Sequence, residues 1–383
     1  MTTTRRAILM TAGGAIAVTA AGAASWSLTR APKAARSPWR EAAEGFGDPR
    51  LDALAYAILA PNPHNMQPWR VELESDDAFT LYCDPARLLP ETDPPNRQIT
   101  IGFGCFLELF RQAAAEKGMR AELTYFPEGE PQPTLDARPI ARVTLADNGG
   151  EPDPLFSEAL ARRTTRVPFD VKRVVSDDLL ARVAAATVPG VNAGATNDAK
   201  RVEELRALAV DAWTTEWNNE ATRRESIAVT RIGKRENNET PWGLSLTGPL
   251  MEGLMDVGVL TRAKMGVPGA MAYDQTLSYY NDACRTAMAF AWSTTTTNTR
   301  RDQLESGRAW VRMQLAANAA GLCFHPLSQA LQEFPAMEAQ YKKAHALLAG
   351  GEGRTVQMLA RLGFAASPPP APREPLSSKL LVD

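Results

Sequence analysis

Histidine and cysteine are scarce here, with three and four residues among 383. Cys83, Cys105, Cys284 and Cys323 lie far apart, with no Cys-x-x-Cys pair and no Cys/His cluster, which argues against a structural zinc site. Their mostly apolar neighbours suit small core residues. Charge imbalance is also missing: a net charge of −2 leaves no electrostatic footprint for nucleic acid. The basic pairs Arg162-Arg163 and Arg300-Arg301 therefore need small anions or solvent as partners. No nucleophile motif accompanies His64 or His325, so both read as local hydrogen-bonding groups. The rest is ordinary globular composition, 44% hydrophobic and 22% charged, with ample material for a real core.

The start of the chain has its own character. Thr4-Arg5-Arg6-Ala7-Ile8-Leu9-Met10 leads into an uncharged run rich in Ala, Gly and Thr that reaches Leu28. Ala21-Gly22-Ala23 offers a small-x-small cleavage point. This pattern predicts an export signal, and the paired arginines resemble the twin-arginine type. The run could span a bilayer, but it is only weakly apolar. Residues 1–38 are accordingly set apart as signal and linker.

Beyond them, two α+β stretches follow one another. In residues 39–150, apolar spacing predicts a helix over 103–117, with strands at 71–73, 79–83, 120–126 and 141–145. Asn-Gly-Gly-Glu-Pro-Asp-Pro at 148–154 reads as a linker. Residues 151–383 offer helices at 155–161, 177–186, 197–224 and 304–320, and strands at 287–293 and 356–362. Residues 225–282 are first polar and irregular, then rich in Gly, Met and Leu. The helices at 103–117 and 304–320 occupy matching places, which suggests an internal repeat.

Two segments carry the chemistry. In Pro61-Asn62-Pro63-His64-Asn65-Met66-Gln67-Pro68-Trp69 the prolines predict a stiff, extended loop. It sets amides beside a large flat ring, a combination suited to a planar heterocycle, or simply a helix-to-strand loop with a buried Trp. Arg162-Arg163-Thr164-Thr165-Arg166 gathers three guanidiniums and two hydroxyls. Such a run fits a phosphate monoester, or a solvated basic helix end favoured by the helix dipole.

Together these segments resemble elements of the FMN-dependent nitroreductase family. The Pro-x-x-x-Asn-x-Gln-Pro-Trp loop is similar to that family's flavin-contacting loop. Arg162, Thr164 and Arg166 fall on its Arg-x-Ser-x-(Arg/Lys) phosphate motif, with Phe169 displaced by an inserted Pro168. Gly321-Leu322-Cys323-Phe324-His325-Pro326-Leu327 follows its Gly-Leu-x-x-x-Pro-(Ile/Leu) stretch, with Ser328 and Gln329 in place of Glu and Gly. Arg373 is the counterpart of a basic residue on the family's C-terminal arm. The two principal motifs appear in reversed order, one per half. That order resembles the Acg-like branch, in which one chain carries both halves of the usual homodimer.

The resemblance implies an α+β, nitroreductase-like fold of two tandem halves packed as an intramolecular pseudo-dimer, monomeric and with one FMN. Its implied cofactor-binding residues are Pro61, Asn62, Pro63, Asn65, Gln67, Arg162, Arg163, Thr164, Arg166, Pro326, Leu327, Ser328, Gln329 and Arg373. In that scheme Asn65 and Gln67 face the flavin's polar edge, while Arg162, Thr164 and Arg166 grip the phosphate. No protein nucleophile is required, because the cofactor carries the electrons. The implied activity passes hydride from NAD(P)H to a nitroaromatic or quinone, with residues 225–282 as a lid. Flavin storage without turnover is the alternative. Twin-arginine export, which carries folded proteins, suits cofactor loading in the cytoplasm.

Overall fold

The computed structural model describes residues 29–351 and 353–381. The signal motif and its cleavage point lie outside the described residues. The fold begins earlier than residue 38: the Ala35 amide donates to Asn238 and its carbonyl accepts from Arg373, so 29–38 belong partly to the body.

The first half contains α1 (Ser37–Glu44), α2 (Pro49–Ala57), β1 (Trp69–Ser75), β2 (Ala78–Cys83), α3 (Arg97–Ala115), β3 (Arg120–Tyr125) and β4 (Ala141–Ala146). The second has α4 (Asp177–Ala185) and β5 (Asn192–Thr196). Then come α5 (Ala199–Asn218), α6 (Glu220–Ala228), β6 (Thr230–Ile232), α7 (Gly233–Glu239), β7 (Leu244–Leu246), α8 (Pro249–Asp256), α9 (Arg262–Met265) and α10 (Met271–Arg285). β8 (Ala289–Thr295), α11 (Arg300–Ala319), β9 (Cys323–Pro326), α12 (Glu338–Leu348) and β10 (Thr355–Gly363) complete it. Residues 225–282 are thus largely helical, not irregular; a parallel pair, β6 with β7, interrupts them.

The internal repeat is visible in topology. One antiparallel sheet runs β1-β2-β4-β3 and the other β5-β8-β10-β9, each with its long helix between the second and third strands in sequence. The long helices α3 and α11 cross at a pair of glycines. A Cβ on Gly104 would lie 2.0 Å from the Leu304 carbonyl oxygen, and one on Gly307 would lie 2.0 Å from that of Ile101. The contact is reciprocal, as in a two-fold interface between identical subunits.

The first residue of each long helix reaches into the opposite half. Arg97 donates to the Gln357 carbonyl at 2.7 Å, to that of Leu331 and to Glu333. Arg300 donates to the carbonyls of Pro131, at 3.2 Å, and Pro133, at 2.8 Å. Arg300 is therefore a buried strut and not part of a surface basic pair.

Glu108 is fully buried in the same interface, among Arg111, Arg308 and Arg312. Burial pushes its carboxyl up, but the hydrogen bond from Arg111 and the charges of Arg308, Arg111 and Arg312 win and bring it down to about 2. The four cysteines are free thiols in or near the core, and no metal-binding cluster exists among the described residues.

Candidate functional site

The 61–69 loop is not extended. It turns through a short 3-10 segment, Pro63–Asn65, and three of its non-glycine residues are left-handed: His64 at φ 48°, Asn65 at φ 56° and Gln67 at φ 51°. Each such residue costs roughly 1 kcal/mol or more, so surrounding structure must impose the shape. Gly102 helps, because a Cβ there would come within 3.1 Å of the Asn62 Cβ.

The amides predicted to face a heterocycle have other partners. Asn65 donates to the Pro372 carbonyl at 3.1 Å and accepts from Arg373 at 2.6 Å. Gln67 donates to the Pro241 carbonyl at 2.9 Å and accepts from the Glu374 amide at 2.9 Å. Both amides are saturated by the C-terminal arm and by the insertion, which leaves them the task of pinning those segments. Trp69 is fully buried against Phe103 and Phe106, so its ring is core. Pro61, Asn62, Pro63 and His64 remain half-buried along the accessible edge of the loop.

Arg162 is buried and donates to the Leu59 carbonyl at 2.7 Å and to Gln314 at 3.2 Å. Arg373, also buried, donates to the carbonyls of Ile58, Leu59 and Ala60 and to Asn65. Their guanidinium carbons, with that of Arg163, lie 5.6, 5.5 and 4.8 Å from the centre of the Trp39 ring. Arg36 stands beside Arg163, each held below the ordinary range, chiefly by desolvation.

Among the described residues none of these four arginines has a carboxylate partner. The Nε atoms of Arg36 and Arg162 lack any acceptor. Burial brings Arg162 down to about 10 and lowers Arg373 strongly, with Arg162 and Arg163 repelling it further. Packed cations without acids cost free energy unless an anion joins them. Their donor set suits a phosphate.

Arg166 is not among the arginines on the Trp39 ring, and its charge acts on His64, His325 and Tyr280. More than a third of its side chain is accessible, yet desolvation still lowers it. It has no hydrogen-bond or ion-pair partner among the described residues. Its field helps depress His64, brought down to about 4 mainly by desolvation, and His325.

His325 is buried, accepting from Arg361 at 2.8 Å on Nδ1, with the Tyr280 hydroxyl 3.3 Å from Nε2. Tyr280 also donates to Gln329 at 3.3 Å. Arg361 donates to the Val167 carbonyl at 2.8 Å and lies 3.8 Å from the Phe169 ring, clamping the arginine run onto β10. Thr165 closes the clamp, its amide donating to the Phe324 carbonyl of β9 at 3.1 Å.

Of the 326–329 segment, Pro326, Ser328 and Gln329 are half-buried, while Leu327 points into the core. The structure therefore gathers the loop, the arginine run, the 326–329 segment and Arg373 from four distant stretches. Arg36, Trp39, Ser226 (2.9 Å from His64 Nε2) and Tyr280 join them unforeseen. Arg36 fell inside the stretch read as linker, and nothing local in the insertion marks Ser226 or Tyr280. Two shallow surface hollows, of about 360 Å³ beside Arg224 and Arg262 and about 640 Å³ beside His345 and Arg354, include none of these residues.

Comparison with known proteins follows this geometry. No family model matches the chain. A Mycobacterium tuberculosis H37Rv protein provisionally named NAD(P)H nitroreductase Rv3131 is 28% identical over 337 residues, 85% of this chain and 88% of its own. The provisionally named NAD(P)H nitroreductase acg of the same organism is 38% identical over 118 residues, 30% of this chain and 34% of its own. Among solved structures, an FMN-dependent nitroreductase, NfnB, from Mycobacterium smegmatis in complex with NADPH gives a TM-score of 0.36 at 20% identity, covering 58% of this chain and 95% of its own. A provisionally named nitroreductase from Anabaena variabilis gives 0.43 at 10% identity, covering 80% and 82%. The likeness to Rv3131 extends through both halves, and the paired α+β architecture is a nitroreductase-like fold.

Proposed function

We propose that the protein is an FMN-binding, nitroreductase-like oxidoreductase, exported by the twin-arginine route, that reduces nitroaromatics or quinones with a nicotinamide donor. The observation that carries this reading is the carboxylate-free set of Arg162, Arg163 and Arg373 around Trp39, with Arg36 beside Arg163, next to the strained 61–69 loop. The arginine set would hold the phosphate, with the unpartnered hydroxyl of Thr164 nearby. The 61–64 edge, Arg166, Tyr280 and the 326–329 backbone would border the ring. FMN supplies two-electron redox chemistry when bound.

This chain's own contribution is positional and electrostatic. Arg166 favours anionic character beside His64 and Tyr280. The His325–Arg361–Phe169 clamp holds the arginine run in place, and the bonds from Asn65 and Gln67 keep the arm closed over it. The relatives carry the names of NAD(P)H nitroreductases, which supports the choice of donor.

The test is an absorbance spectrum of the purified protein, with its flavin released and identified, followed by anaerobic addition of NADH or NADPH. About one FMN per chain and bleaching by either donor are expected. A stable yellow protein that ignores both would turn the reading to flavin storage. A colourless protein that takes up no FMN would reject it.

A further inference from the structure

Exposed apolar side chains are unevenly spread over this protein. Of the ten large hydrophobic residues exposed among those described, four lie between 250 and 271: Leu250, Val257, Val267 and Met271. Single exposed apolar residues are ordinary, but two of these share one helix face. In α8 and the residue that follows it, Leu250, Leu254 and Val257 stand at i, i+4 and i+7, which makes a single stripe. Leu250 is 68% exposed and Val257 72%, with half-buried Leu254 between them. A Cβ on Gly253, at the edge of the stripe, would meet nothing within 4 Å, so the helix is open on that side.

The far side of α8 holds the stripe outward. Glu252 is buried there, accepting from the Lys234 amide at 2.6 Å and pairing with Arg30 at 3.1 Å. Met255 shares that side, and a Cβ on Gly233 of α7 would come within 3.3 Å of both side chains. Rotating α8 to bury Leu250 and Val257 would break these contacts. Arg30 also marks where the chain enters the body. The uncharged run rich in Ala, Gly and Thr reaches Leu28, two residues before it, and is long enough for a bilayer. The chain therefore passes from that run directly onto α8.

We propose that the α8 stripe docks on the surface of a lipid bilayer, beside the point where the N-terminal run joins the body. At about 12 Å, α8 is too short to span a membrane, and its one-sided apolar face suits burial in the plane of the interface. Charge beside the stripe is balanced. Asp256 and Lys264 are both exposed, and Lys264 Nζ donates to the Gly258 carbonyl at 2.6 Å. The attraction is therefore apolar and not electrostatic. The same insertion touches the strained loop: the Gly243 amide donates to the Asn65 carbonyl at 3.0 Å, and the Pro241 carbonyl accepts from Gln67. Docking brings the insertion that touches this loop to molecules dissolved in the bilayer, apolar quinones among them. That consequence rests on the oxidoreductase reading; the docking does not.

The test follows amide exchange by mass spectrometry in the full chain, with and without phosphatidylcholine vesicles. Exchange across 249–258 should slow about tenfold when vesicles are added. The slowing should persist at about 0.5 M salt, where exposed charges are screened. Leu250→Ser combined with Val257→Ser should abolish it and leave the melting temperature unchanged, since both side chains face water. Val174→Ser, which removes a 77% exposed valine from a different stretch, should leave the slowing intact. Because the readout is local to α8, vesicle binding by the N-terminal run alone does not mimic it.

No vesicle-dependent slowing at 249–258 overturns the proposal, as does slowing that survives the double substitution or disappears in salt. Slow exchange without vesicles overturns it too. If that is unaffected by dilution, the chain's own N-terminal run covers the stripe; if it is lost on dilution, a second copy does. None of these outcomes depends on bound flavin, so failure of the docking and failure of the oxidoreductase reading are separately visible.

Discussion

A guanidinium without an acid is an expense that folding alone does not explain, and Arg166 is the clearest one. Among the described residues it meets neither carboxylate nor carbonyl, although more than a third of it is open to water. Arg162 and Arg373 at least donate to the backbone carbonyls of 58–60. Replacing Arg166 with Met keeps most of the side-chain volume and removes the charge. The flavin-free protein should melt at nearly the same temperature, because water already reaches the guanidinium. FMN should bind about tenfold or more weakly, because a charge-assisted contact worth roughly 1.5–3 kcal/mol has gone. Thermal melts and calorimetric titration of the same variant check both, and a fall in stability would make Arg166 a structural residue instead.

At the scale of elements, the crossing of α3 and α11 should be sensitive to acid. Glu108 in the folded chain titrates at about 2 against an ordinary value of 4.5. Because the folded value is depressed, the stabilisation is complete above about 4.5 and is lost as pH falls toward 2. The shift amounts to about 3 kcal/mol. Urea unfolding at several pH values should show this slope, and Glu108→Gln should flatten it while destabilising the protein, since Arg308 and Arg312 would lose their shared acid. An unchanged slope in the variant would assign the acid sensitivity to other carboxylates.

This pairing across the interface was not legible in the sequence, where Glu108 is one polar residue within an apolar helical period. The helices themselves were, because their apolar spacing survives in both halves. Arg162 and Arg373, marked in the sequence for a phosphate, both donate to the carbonyls of 58–60, contacts the sequence does not announce. What the pattern could not convey is direction. Asn65 and Gln67 look like ligand-facing amides in a string of residues, but three left-handed backbones turn them onto the arm and the insertion. Ser226 meets His64 across 162 residues, and nothing periodic in the sequence marks it.

For the whole molecule, the reciprocal contacts of α3 and α11 bear on the oligomeric state. Gly104 and Gly307 let the two backbones touch, and Arg97 and Arg300 each tie one half to the other. The surface that a separate subunit would need is thus already buried within one chain. A second copy could use it only by opening the crossing and exposing Glu108 with its arginines. We therefore expect light scattering to give the mass of a single chain, at most 41.6 kDa and less if a leader is removed, independent of concentration. Only the second half contributes an arginine run, and only the first contributes the strained loop, so the flavin count should stay near one per chain in the same sample. A stable dimer whose mass falls to that of one chain when Gly307 is replaced by a bulky residue would place the natural partner of α3 in another molecule, and would overturn the single-chain pseudo-dimer.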